Sequence, residues 1–404
     1  MKVLLSFLAL VLSAAFGASA QVSDAGLAQK AEALIEDTGA PAVSILVMRD
    51  GVVIAEATAG VRSTRSDIEA ENGDIWHLGS ITKSMTATLA ARLVEQGALS
   101  WDLTVQDALG EAIEDIDPAL RELTLEDLFT HTSGLAPNIA MSKFLTFERI
   151  SKDARGERLD YARHMLTRPP AGMPGEDFAY SNAGYVVAGA MLEQVMGQRW
   201  EDLMAEHVFA ALDLETAGFG PVGEDEVLSQ PRGHRPRFLS FGRIPVSPGD
   251  GRADNPEVLG PAGRVHMSLE DLATYASAHL TGQGPDGAPF LSQSSLEKLH
   301  TPRLENYATG WLVRGMASLP GISGTMAPTP SITLRSTPTR HLAWSSPLPR
   351  TTTNCGGSAS ASGTLRKTST TASPIDGAGL GTTVAPIRFT GVEMRHGHGR
   401  LVCD

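Results

Sequence analysis

Two short stretches of this 404-residue chain hold residues whose types and spacing suit nucleophilic chemistry. Ser80-Ile81-Thr82-Lys83 is the first. On a helix, positions i and i+3 share a face, so the lysine amine can stand beside the serine hydroxyl. That hydroxyl is a poor nucleophile until a base takes its proton, and a desolvated lysine can serve. At a helix start, backbone N–H groups are also free to meet a developing oxyanion. The spacing alone is common: Ser295 and Lys298 repeat it and read as a surface helix. Ser80 differs in following Gly79 and preceding a long apolar helical run. The second stretch is Tyr180-Ser181-Asn182. A tyrosine phenol titrates near pH 10 and acts as a base only beside a positive charge such as Lys83. Asn182 offers a donor and an acceptor to a substrate amide. The plainer reading is a turn in which Ser181 or Asn182 caps the helix that follows.

The elements that must position these residues can be traced by pattern. Ala25 to Ile35 has helical spacing, and Ala42–Met48 and Val52–Ala57 form β-type runs around Asp50-Gly51, a hairpin dipeptide. Ser80 opens a helix through Met85, Leu89 and Leu93 that Gly97 stops. Helical patterns then dominate 101–235, including Leu125–Phe129, Tyr161–Leu166, Val186–Val195 and Trp200–Ala210. Gly220 to Pro261 reads as long loops, and Ser268 as the N-cap of a helix over Leu269–Leu280, with Asp271 at capping-box spacing. Two lobes follow, one helical (about 101–235) and one built on a sheet drawn from both chain ends.

Composition bounds the rest. The chain has 46 acidic and 33 basic side chains, a net charge of −13, which speaks against a nucleic-acid partner. Lys2, the apolar run Val3–Phe16 and Ala18-Ser19-Ala20 read as a signal peptide over 1–20, cleaved after Ala20. The expected location is the periplasm or the outside of the cell, with no stable membrane anchor. Residues 21–315 contain no cysteine, so disulfides do not hold that body together. The last 89 residues differ: acidic groups fall to Asp376, Glu393 and Asp404, Ser, Thr and Pro abound, and both cysteines, Cys355 and Cys403, lie there. His396-Gly397-His398 lacks a third ligand, so no metal or other cofactor is implied. No Gly-x-Ser-x-Gly elbow occurs. Oligomeric state cannot be read from the chain.

Taken together, Ser80-x-x-Lys83, Tyr180-x-Asn182, His131-Thr132-Ser133-Gly134, Gln230 to His234, Asp254-Asn255-Pro256, Gly260 to Ser268 and Tyr307 to Trp311 resemble the serine β-lactamase and penicillin-binding protein superfamily. The class C β-lactamase-like branch, with its esterases and D-amino-acid peptidases, is the nearest in pattern. The resemblance covers about 25–315. It implies an α+β fold of the β-lactamase/transpeptidase type, an antiparallel sheet flanked by helices plus a mostly helical lobe. It implies that Ser80 is acylated, that Lys83 and Tyr180 form the base network, and that Asn182 binds the substrate carbonyl side. The substrate would be a small molecule, peptide or ester carrying an amide, β-lactam or ester bond. His131, His234 and His266 would frame the cleft.

The resemblance stops at its third motif, a His-x-Gly or Lys-Thr-Gly strand expected soon after Trp311. Gly321 to Ala327 holds only a Ser-Gly-Thr echo, and His396-Gly397-His398 lies too near the end. Read in the frame that starts at the third codon base, Met326-Ala327 must encode Gly, and a His two places earlier is permitted. A frameshift near residue 315, leaving 316–404 a poorly ordered tail, is the reading that fits the composition break, with a genuine Ser/Thr-rich tail as its alternative. A non-catalytic pseudoenzyme or defective chain is the alternative to a working hydrolase.

Overall fold

The computed structural model describes residues 23–49, 51–236, 242–314, 331–334 and 400–403. The first helix, α1 (Asp24–Thr38), begins where the Ser23 hydroxyl accepts the Gly26 N–H and ends at Gly39 in the left-handed conformation. β1 (Ala42–Arg49) and β2 (Val52–Gly60) then pair antiparallel, Ala42 opposite Gly60, with a bulge at Val47/Met48. Strand alternation gives β1 two buried faces. Val43 and Ile45 join Leu27 and Ala31 of α1 in a small cluster, whereas Leu46 and Met48 enter the main core.

The main core is organised around α2 (Thr82–Glu95), entered through a 3-10 turn over Gly79–Ile81. Eleven of its residues, Thr82 to Ala91 and Leu93, are buried, polar ones included. Their hydroxyls are all bonded: Thr82 to the Val265 N–H, Thr86 to the Pro261 carbonyl, Ser84 to the Ile81 carbonyl, Thr88 to Tyr275 and His279. That satisfaction is what lets a polar helix run through a core. α3 (Ala154–Leu166) packs on α4 (Asn182–Met196), and α4 in turn packs on α2. α5 (Leu269–Thr281) bonds α2 through Tyr275 and His279, and α6 (Gln293–His300) packs on α2 as well. Arg158 of α3, fully buried, clamps Glu193 of α4 at 2.6 Å and Glu201 at 2.7 Å. A second small sheet sets β3 (Trp76–His77) beside β4 (Val265–Met267), which also pairs with Gly218–Phe219.

Several expectations need correction. Trp200–Ala210 is not one regular helix: an α-helical turn over Trp200–Met204 gives way to a π-helical turn over Ala205–Phe209 and then to 3-10. The Gly- and Pro-rich 220–261 stretch holds a short hairpin, Gly233–Pro236 against Arg243–Val246, besides its loops. Ser268 caps α5, but the box is half-formed. The Asp271 carboxylate turns instead to the N–H and hydroxyl of Thr216. Asp50 of the hairpin dipeptide, the signal segment, the echo at 321–327 and His396 to His398 lie outside the described residues. Of the tail, Ser331–Leu334 and Arg400–Cys403 are described as strands, the latter pairing with both the former and Leu312–Arg314.

Candidate active site

Ser80, Lys83, Tyr180 and Asn182 converge at the start of α2. Gly79 takes φ +53°, which turns the chain from β3 into the 3-10 turn and sets Ser80 at the head of the helix. One helical turn on, Lys83 Nζ donates to Ser80 Oγ at 3.2 Å. It also donates to Asn182 Oδ1 at 2.8 Å and to the Ala262 carbonyl at 2.7 Å. All three partners are neutral oxygens, and no carboxylate forms an ion pair with Lys83 among the described residues. Lys83 is wholly buried, and desolvation pulls its amine from 10.5 down to about 7. Near neutral pH it is thus poised to hold or release a proton.

Tyr180 OH donates to Ser80 Oγ at 2.9 Å, so the serine oxygen lies between phenol and amine. The ammonium also sits 4.9 Å from the centre of the Tyr180 ring. Tyr180 is held by its chain neighbour: Ser181 caps α4, accepting the Gly184 N–H and donating to the Ala136 carbonyl. The capping reading and the site reading of this tripeptide therefore both apply, to different residues. Asn182, first residue of α4, uses Oδ1 for Lys83 and donates Nδ2 to Asn138 Oδ1 at 2.9 Å.

His131 packs at a tilt on Tyr180, ring centres 4.4 Å apart, and against Tyr307 and Tyr185. Its Nδ1 accepts the Ser181 N–H at 3.1 Å, while Nε2 finds no partner among the described residues. Burial, helped by Lys83, pushes its pKa well below the ordinary histidine value. A neutral ring that orients Tyr180 fits this geometry better than a proton carrier. His234 accepts the Thr64 N–H at 3.1 Å, and burial lowers it to about 4. His266 donates Nδ1–H to the Gly220 carbonyl at 2.9 Å. Neither touches Ser80. Lys298 reaches Glu126, not Ser295, so the second Ser-x-x-Lys spacing builds no site. Among the described residues no cluster of His, Cys, Asp and Glu could hold a metal ion, and no helix is long and apolar enough to cross a membrane.

Three supports were missed from sequence. Asn138 lies in a loop 44 residues before Asn182, and the Ala262 carbonyl in the helical turn Gly260–Gly263, 80 residues after it. The sequence singles out the stretch Gly260 to Ser268, but no side chain marks a carbonyl as a partner. Gly310 could have been found within Tyr307 to Trp311. Its φ is +82°, and a Cβ there would lie 2.7 Å from Ser84 Cα, so only glycine lets this loop lie on α2.

The Beta-lactamase family model matches residues 27–368, past the composition break at 315. Penicillin-binding protein 4 of Amycolatopsis lactamdurans is 28% identical over 274 residues, 66% of this chain and 67% of that protein. A putative D-alanyl-D-alanine carboxypeptidase of Escherichia coli O157:H7 is 24% identical over 322 residues, 72% of each. Among solved structures, the octameric penicillin-binding protein homologue from Pyrococcus abyssi aligns with a TM-score of 0.56 at 24% identity, covering 70% of this chain and 63% of that one. A D-stereospecific amidohydrolase from Streptomyces sp. aligns at 0.55 and 24%, covering 73% and 84%. At such identities the structures speak to a shared fold, the β-lactamase/transpeptidase type. With the family match spanning most of the sequence, this chain belongs to the Beta-lactamase family of serine hydrolases.

Proposed function

We propose that the chain is an exported hydrolase that forms an acyl-enzyme on Ser80, within a catalytic unit covering 21–315. The observation that carries this reading is the buried Lys83 amine, lowered to about 7 and 3.2 Å from the Ser80 hydroxyl. In acylation Ser80 Oγ bonds to the substrate carbonyl carbon, and its proton passes to neutral Lys83, directly or through Tyr180. The oxyanion meets the backbone N–H groups at the head of α2. As the intermediate collapses, the leaving nitrogen or oxygen takes a proton back from Tyr180, which Lys83 replenishes. Deacylation repeats the sequence with water as nucleophile and Ser80 as leaving group. Asn182, fixed by Lys83 and Asn138, contributes the amide that orients the substrate.

The substrate carries an amide, β-lactam or ester bond. The relatives' names favour substrates with a D-configured residue on the acyl side. The experiment is incubation with a fluorescent penicillin, an activated ester and a D-alanyl-D-alanine peptide, with Ser80→Ala as control. Intact mass and peptide mapping should show an adduct on Ser80, absent from the variant. A folded wild-type protein with neither adduct nor turnover would reject the reading.

A second reading, a pseudoenzyme or defective product, is favoured by one sequence observation. No His or Lys stands two places before a glycine in 312–327, where the third motif belongs. Resequencing the gene across codons 305–360 tests it: a His-x-Gly in a shifted frame, and activity gained on restoring that frame, would support it.

A further inference from the structure

We propose that His77 is a positioning residue for Ser80, its Nδ1 holding the Gly79 peptide while the buried Asp254 holds the ring from the other side. The proposal rests on the reading of Ser80 as nucleophile. His77 ends β3, three residues before Ser80, and Nδ1 accepts the Gly79 N–H at 3.2 Å. A nitrogen that faces an N–H carries no proton of its own, so the hydrogen-bond pattern assigns the proton to Nε2. Nε2 stands 3.0 Å from Asp254 Oδ1.

Asp254 is itself fixed. It is 5% exposed, accepts from Arg264 Nε at 3.1 Å and takes the Asn255 N–H at 2.6 Å. Arg264 in turn reaches Glu257 at 3.8 Å. His266, opposite His77 on β4, spends its Nδ1–H on the Gly220 carbonyl. The charge arrangement around the ring is therefore set by the fold, and its result is a single lone pair presented to Gly79.

That lone pair matters because of the backbone it meets. Gly79 sits at φ +53°, and a Cβ there would have nothing within 4 Å. On its C-terminal side the Gly79 carbonyl accepts the Thr82 N–H, and Gly263 lies against its peptide. On its N-terminal side the His77 ring holds the N–H. The torsions of Gly79 aim the next peptide, which carries the Ser80 N–H and places Ser80 Oγ between Lys83 and Tyr180. A nucleophile displaced by about 1 Å loses on the order of a hundredfold in rate.

The test compares His77→Asn with His77→Leu, measuring the rate of Ser80 acylation by p-nitrophenyl acetate and each variant's thermal midpoint. Both variants lose the Asp254 contact, so a role in stability alone moves them together. Asn keeps an acceptor two bonds beyond Cβ, as His Nδ1 is, in the geometry of an Asx turn to the residue two ahead. The expected result is that Asn acylates within about threefold of wild type, and Leu about tenfold or more slower at a similar midpoint. Equal rates in the two variants would overturn the role of His77 alone. A wild type with no Ser80 adduct would overturn the nucleophile reading, and this proposal with it. Independently of activity and of whether the Leu variant folds, ¹⁵N spectra of imidazole-labelled wild type should show His77 as the Nε2–H tautomer at neutral pH. An Nδ1–H tautomer would overturn the proposal.

Discussion

Replacing Lys83 by methionine should make the chain more stable below neutral pH and less stable above pH 10. Lys83 has its folded pKa lowered from 10.5 to about 7 by burial. Below pH 7 the amine is protonated in both the folded and unfolded chain, and the folded state bears the full cost of a buried ammonium. A drop of that size corresponds to about 5 kcal/mol. Between pH 7 and 10.5 the unfolded chain binds the extra proton, so stability rises with pH across that window and levels off above it. Methionine has nearly the same length and removes the titration. It leaves Asn182 Oδ1 and the Ala262 carbonyl without their donor, at about 1–3 kcal/mol each. At pH 6, where about 5 kcal/mol of charge burial is relieved against about 2–6 kcal/mol for the two orphaned acceptors, Lys83→Met should gain up to about 3 kcal/mol. At pH 10.5, where only the lost hydrogen bonds remain, it should lose about 2–6 kcal/mol. The measurement is urea unfolding of both proteins from pH 6 to 10.5, taking their difference so that the other titrating groups cancel. Its slope should approach about 1.4 kcal/mol per pH unit in the middle of the window. A difference that does not vary with pH would show that Lys83 titrates normally when folded, and would remove the neutral base on which the proposed acylation depends.

Three further outcomes follow from the same geometry. Acylation of Ser80 should fall below pH 7, as Lys83 takes up the proton it must be free to accept, and a rate that stays flat from pH 5 to 8 would contradict this. Gly310→Ala forces a Cβ to 2.7 Å from Ser84 Cα at φ +82°, and should cost about 2–4 kcal/mol in chemical denaturation while slowing acylation through a displaced α2. Arg158→Leu leaves Glu193 buried without its cation and Glu201 with only the half-exposed Arg199. It should destabilise by about 3–5 kcal/mol, and adding Glu193→Gln should return part of that in the same assay.

Much of the local structure was legible because its causes are local. The hairpin at 42–60 follows from two β-type runs around a turn dipeptide, and α2 from an apolar run between two glycines that adopt positive φ, Gly79 and Gly97. Ser181 and Ser268 act as helix caps because the bond each makes spans only three residues. Failures came where a distant partner outbid a local one. Asp271 has capping-box spacing, yet Thr216, 55 residues away, takes its carboxylate. The hairpin at 233–246 hides among prolines and glycines that read as loop.

The sequence by itself determined which groups were on offer: a serine and a lysine one helical turn apart, and a tyrosine and asparagine flanking a capping serine. It could not determine what state those groups take. The reactivity of Lys83 depends on complete burial and on oxygens 99 and 179 residues away, Asn182 Oδ1 and the Ala262 carbonyl. Ser295 and Lys298 have the same spacing, and there the lysine stays partly exposed on the carboxylate of Glu126. One short pattern thus occurs twice in the chain with two outcomes. A pKa is set by the solvent and charges around a group, and only the tertiary structure decides those.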